Sequence, residues 1–393
     1  MASIFRWGEQ ERSSQFLNDA FQQGLARWNR QRLAPAFPCP EWQLQLDEDH
    51  RMQRLEGAFL EELRAGVAAR AAQAPADVNG FLDWFEDLQV TGPGQGDPLF
   101  PWLAREAGLD DFKYYLAQEA AGEAGFDDLT AMTQVKVPAS AKLELANNYW
   151  DEMGRGNPKG MHGPMLDALI RELGLQANIE DTVWESLALA NAMTAMATSR
   201  RYAWHSVGAL GAIELTAPGR SRAVADGLKR LGLDGKARRY FELHAVLDVK
   251  HSQDWNEKVL RPLVEEDPRR AAAIDDTVWE SLALANAMTA MATSRRYAWH
   301  SIGALGVIEL TAPGRSRATA DGLRRLGFGG KARRYFELHA VLDVRHSQDW
   351  NAKVFAPLVA EDPRRATAFA EGALIRLTAG ARCFERYRRE LWS

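Results

Sequence analysis

The stretch "FELHAVLDVKHSQDW" occupies residues 241–255, and nearly the same string, "FELHAVLDVRHSQDW", returns at 336–350. On a helix turning about 100° per residue, His244, Asp248 and His251 fall within about 60° of one another. Tyr240, Phe241, Leu247 and Trp255 flank that face, while Arg239, Glu242, Lys250 and Gln253 point away from it. Two imidazoles and a carboxylate therefore share the face that the apolar pattern predicts to be buried. Three buried ionisable groups are costly unless something pairs with them. A metal ion does so, because imidazole and carboxylate are good ligands for iron, manganese or zinc. The plainer alternative is a hydrogen-bonded His–Asp pair in a core.

Further carboxylates and a histidine lie upstream. Glu214 shares a predicted helix face with Val207, Leu210 and Gly211, so it also looks inward. In "NNYWDEMGRGNPKGMHGPMLDALIRELGL", a Gly/Pro break separates Glu152, at the end of one helix, from His162, at the start of the next. Glu119 and Glu123 stand four apart in "QEAAGEAGFDDL" and share a helix face. Each glutamate taken singly reads as a surface residue. Together they form the carboxylate-rich set that a dinuclear iron site needs. The ferritin-type layout requires paired Glu-x-x-His motifs, which this sequence lacks.

The spacing pattern extends to a long repeat. Residues 181–274 recur at 276–369 with a constant offset of 95 and few changes, among them Val207 to Ile302 and Lys250 to Arg345. This is a duplicated block rather than a solenoid, whose repeats are shorter. Almost everything reads as helix: "ESLALANAMTAMATSRRYAWHSVGALGAIEL" is rich in Ala, Leu and Met without internal proline. The Pro-Gly pairs in "TAPGRS" and "VTGPGQGDP" predict loops, with a serine capping the helix that follows the first. The expected class is all-α. The expected organisation is an N-terminal helical scaffold over 1–90, a metal-binding core over 91–274, and the second copy with a closing helix over 275–393.

Composition narrows the function. The chain has 393 residues, 46% hydrophobic and 26% charged, with a net charge of -5, which provides no basic field for nucleic acid. No apolar run reaches membrane-spanning length, and the N-terminus lacks the pattern of a signal peptide. The two cysteines, Cys39 and Cys383, have no His or Asp nearby in sequence and read as inert thiols. A reducing cytoplasm is the expected location.

Glu214 followed by His244-x3-Asp248-x2-His251, with the upstream "NYWDEMGRGNPKGMH", resembles the heme-oxygenase-like diiron oxidases and oxygenases. The resemblance covers roughly 80–260 and resumes in the second copy and the last helix. It implies a helical bundle holding two Fe(II) ions that use O2 as co-substrate on a small amine, amino acid or fatty acid. By position, His162 and an upstream glutamate, Glu119 or Glu123, would hold one iron. His244, Asp248 and His251 would supply the other iron and the bridge, with Glu214 completing the set. Members that oxygenate nitrogen carry an extra carboxylate near the position of Glu152, which tilts the reading toward N-oxygenation. Oxidative decarboxylation or desaturation, and a degenerate non-catalytic scaffold, are the alternatives. No Gly-rich dinucleotide loop occurs, so electrons would come from an external donor, and a homodimer is common for such bundles. The duplication departs from the family pattern. Glu309, His339, Asp343 and His346 repeat one half of the set, yet only one upstream half exists. Continuity with that half favours the first copy as the functional one, continuity with the last helix favours the second, and an exchange of copies between two chains is the third arrangement.

Overall fold

The computed structural model describes residues 14–71, 73–75, 77–92, 95–122, 125–271, 298–371, 373–374 and 377. Among these residues the secondary structure is helical; the one β-type pairing is an isolated antiparallel bridge between Met153 and Met161. The all-α expectation is met. No described helix is long and apolar enough to cross a membrane.

The chain divides into two compact units. Unit 1 comprises Met1–Asn29 and His50–Thr277; unit 2 comprises Arg30–Asp49 and Val278–Ser393. In chain order the helices are α1 (Asp19–Leu33), α2 (Trp42–Ala71), α3 (Val78–Thr91), α4 (Leu99–Arg105), α5 (Leu109–Gly122), α6 (Phe126–Thr133), α7 (Ala139–Glu152), α8 (His162–Glu172), α9 (Trp184–Thr198), α10 (Ala203–Arg230), α11 (Arg239–Trp255) and α12 (Arg261–Glu266). They continue as α13 (Ala298–Arg325), α14 (Gly330–Asp349) and α15 (Ala356–Glu361).

In unit 1, α10 and α11 form a central antiparallel hairpin that both main apolar clusters use. One cluster gathers Phe81, Phe85, Leu145, Leu210, Leu215, Trp255 and Val259. The other gathers Leu103, Phe112, Leu116, Leu169, Leu228 and Phe241. The hairpin closes tightly where Gly211 faces Trp255, whose indole N–H donates to the carbonyl of Val207 at 3.2 Å. A Cβ at position 211 would lie 2.5 Å from that indole nitrogen. A third cluster, with Leu25, Trp28, Phe59 and Ala195, ties the N-terminal helices to α9.

Two local expectations are corrected. The run from "ESLALA" to "AIEL" is not one helix: Ser199 is extended, and a 3-10 turn over Arg200–Tyr202 separates α9 from α10. Conversely, "TAPGRS" is not a loop. Helix α10 runs through Pro218, and its ring removes only the hydrogen bond that would have gone to the carbonyl of Glu214. The packing of Pro218, Leu215 and Ser221, all buried, outweighs that single loss.

Candidate metal centre

The chain reversal between α7 and α8 builds the first half of the site. Gly154, Arg155 and Gly156 all have positive φ, at 60°, 53° and 82°, and a Cβ at Gly154 would strike the backbone of Gly160. This left-handed run folds the loop onto itself so that Met153 pairs with Met161. Glu152, the last residue of α7, and His162, the first of α8, thereby become neighbours. The Nδ1 of His162 is 2.7 Å from Oε2 of Glu152 and 3.1 Å from Nε2 of His244 on α11. His244 Nδ1 donates to the carbonyl of Tyr240 at 2.8 Å. A carbonyl can only accept, so the Nε2 of a neutral His244 carries a lone pair and faces the cluster.

The second half is set by the α10–α11 hairpin. His251 Nδ1 lies 3.4 Å from Oε2 of Glu214 and 3.9 Å from Oδ1 of Asp248. Its other nitrogen faces Oδ2 of Asp151 at 3.2 Å. Asn148 donates to Oε1 of Glu214 at 2.6 Å, and Arg155 donates to Asp151 through Nε and through Nη2. Glu152, His162 and His244 thus form one three-ligand group, and Glu214, Asp248 and His251 form another. One helical face of α11 contributes to both.

Burial governs the electrostatics here. Glu152, His162, Glu214, Asp248, His251 and Asp151 are all buried. Burial, then the neighbouring charge of Glu214, pushes the Asp248 carboxyl up to about 9. Burial alone would lower His251, but its interactions with Glu214, Asp151 and Asp248 outweigh that and raise it to about 9. Burial holds His244 down to about 4. For Asp151, hydrogen bonds from Arg155 and His251 outweigh burial and keep it below its ordinary range. Asp248 Oδ1 is buried without a hydrogen-bond partner. An orphan acceptor among converging carboxylates and imidazoles is the environment that divalent cations satisfy, so the residues fit a metal.

A cavity of about 310 Å³ opens onto both groups, reaching Glu152, His162, Glu214, His244 and Asp248. Its other walls are largely apolar, among them Phe126, Leu166, Met193, Ile213 and Phe241. Glu119 lines the same cavity and bonds to Tyr115, with its carboxyl raised by burial. Glu119 joins neither ligand group, and Glu123 lies outside the described residues. Asn148, Asp151 and Arg155 escaped the sequence reading. The available signal was that Asn148 lies one turn before Glu152 on α7. His205, on the far side of α10 from Glu214, accepts from Arg64 at 3.2 Å. In unit 2, Glu309, Asp343 and His346 also come together, and His339 contacts Asp343.

The family model described as "Iron-containing redox enzyme" matches residues 113–276 and, a second time, 273–381. The chain belongs to the iron-containing redox enzyme family. Family membership makes it an oxidoreductase of the heme-oxygenase-like, all-α class. The first family match spans all six clustered residues of unit 1, and the second falls on the repeated block. No curated protein matches the chain.

Proposed function

We propose that the chain is an O2-dependent nonheme diiron oxygenase or oxidase acting on a small amine- or amino-acid-type substrate, with N-oxygenation as the favoured outcome. The observation that carries this reading is the pair of His/carboxylate groups that meet at one face of α11, beside a largely apolar cavity. Glu152, His162 and His244 would hold one iron; Glu214, Asp248 and His251 would hold the other. Bound ferrous iron would supply the electrons and the site for activating O2. The chain's own residues set the stage. Tyr240 fixes the His244 ring through its carbonyl, Asp151 fixes His251, and Asn148 fixes Glu214. Partners of this kind hold ligands in the orientation that metal binding requires. The apolar wall limits water, and Tyr115, Glu119 and Arg220 give the cavity polar contacts for a substrate. Glu152, placed among the ligands, supports nitrogen oxidation over desaturation.

The test is anaerobic Fe(II) titration followed by rapid mixing with O2, on wild type and His244→Ala. Uptake of two irons per chain with an O2-dependent absorbance change, both diminished in His244→Ala, is the expected result. Absence of iron uptake in the wild type would remove the oxygenase reading.

A further inference from the structure

Among the described residues that line the cavity beside the metal-binding groups, Arg220 is the only lysine or arginine. It lies on α10, six residues after Glu214, and both side chains face the cavity. Six helical residues span about 9 Å along the axis, so the guanidinium is rooted well away from the ligand carboxylate. A second cavity, of about 220 Å³ and walled in part by Gln95 and Pro101, shares Phe100, Thr216 and Arg220 with the first. Arg220 therefore stands where the two spaces meet.

Its surroundings hold the guanidinium without neutralising it. The group sits over the Phe100 ring, 5.6 Å from its centroid. Gln95, with its amide turned to satisfy both ends, accepts one hydrogen bond from Nη2 at 2.6 Å. Glu119 accepts instead from Tyr115. Among the described residues no carboxylate forms an ion pair with Arg220. A guanidinium carries five donors, so most remain for a ligand. A cation beside largely apolar walls is costly until an anion joins it, and the planar fork matches a carboxylate through two parallel hydrogen bonds. Asp127, Glu119 and Glu152 line the same cavity. Their negative field favours a singly charged carboxylate over a doubly charged phosphate.

We propose that Arg220 anchors the carboxylate of the substrate, so that the chain acts on amino acids with an apolar body and a free carboxylate rather than on simple amines. The apolar body packs on Leu166, Met193 and Ile213, and the nitrogen is directed to the metal-binding groups. The word substrate rests on the oxygenase reading; the carboxylate site itself needs no iron.

The probes are n-hexanoate and n-hexanamide, which share a chain and differ in the charge of the head group. Each is titrated calorimetrically into the full chain, metal-free and after anaerobic Fe(II) loading. Hexanoate should bind both forms, and hexanamide at least roughly 10-fold more weakly. Arg220→Gln, checked for native helicity by circular dichroism, should lose that preference while taking up iron as the wild type does. Arg220→Lys keeps the charge but not the fork, and should retain only part of it. No hexanoate binding by the wild type, equal affinity for the two probes, or an undiminished preference in Arg220→Gln overturns the proposal. Hexanoate binding that appears only with iron and survives in Arg220→Gln also overturns it, because the carboxylate then sits on the metal. Should Arg220→Gln fail to fold, an undiminished preference in Arg220→Lys does the same. Failure of the oxygenase reading looks different: iron uptake is absent while the Arg220-dependent preference stands.

Discussion

Asp248 and His251 sit three residues apart on α11, and both hold their protons well above the usual range, at about 9. At neutral pH the metal-free site therefore carries a neutral carboxyl and a charged imidazole. A cation must displace both protons, so metal binding near neutral pH should release roughly two protons. Calorimetry in two buffers of different ionisation enthalpy measures this, and equal heats in both would contradict it. The sign for stability follows from the same shifts. Both folded values exceed the unfolded ones, so the folded chain binds more protons, and stability falls as pH rises through about 9. His244, held down to about 4, titrates below that window. Thermal melts of metal-free protein should shift downward between about pH 7 and about pH 9, and bound metal should flatten that slope. Asp151 belongs to the same scale. It holds the outer nitrogen of His251, so Asp151→Asn should weaken iron binding by roughly 10- to 100-fold while leaving the fold intact, measured by competition against a chelator.

At the scale of elements, the α10–α11 hairpin is the frame from which ligands project, and its spacing is set at Gly211. A Cβ there would meet the Trp255 indole, with Phe85 3.3 Å away. Neither neighbour has room to move, since Trp255 is almost fully buried. Gly211→Ala should therefore destabilise unit 1 by about 1–3 kcal/mol and reduce iron uptake, as read from urea denaturation and iron stoichiometry. Much of this frame was legible in the sequence: the three-residue face of α11, the inward Glu214 and the helix boundary at Glu152 each followed from helical period and break residues. Three features were not. The left-handed turn at 154–156 depends on Gly154 meeting Gly160, a contact six residues apart in sequence. Helix α10 continues through Pro218 because packing on both sides offsets one lost backbone bond. Asp151 carries no signal in the sequence, and its role comes from Arg155 and His251 closing around it. In each case tertiary contacts decided a matter on which local propensity was silent or pointed the other way.

At the scale of the whole molecule, the duplication places the same residues in two different solvents. Leu210 is fully buried in unit 1, but its counterpart Leu305 is 42% exposed. Leu215 and Leu310 differ in the same way, at 5% and 62%. The hairpin of unit 1 packs on α3 to α8, and one upstream set of helices can serve one hairpin only. Sequence identity therefore does not confer equal energetic weight. Removing buried methylene groups costs both transfer free energy and a cavity, whereas trimming an exposed side chain costs little of either. Leu210→Ala should destabilise unit 1 by about 2–5 kcal/mol, while Leu305→Ala should cost unit 2 below about 1 kcal/mol. Chemical denaturation of the two variants, with hydrogen exchange to assign each transition to its unit, distinguishes them. Equal losses at the two positions would mean that α13 is as fully covered in solution as α10, and that the second hairpin has found a partner surface of its own.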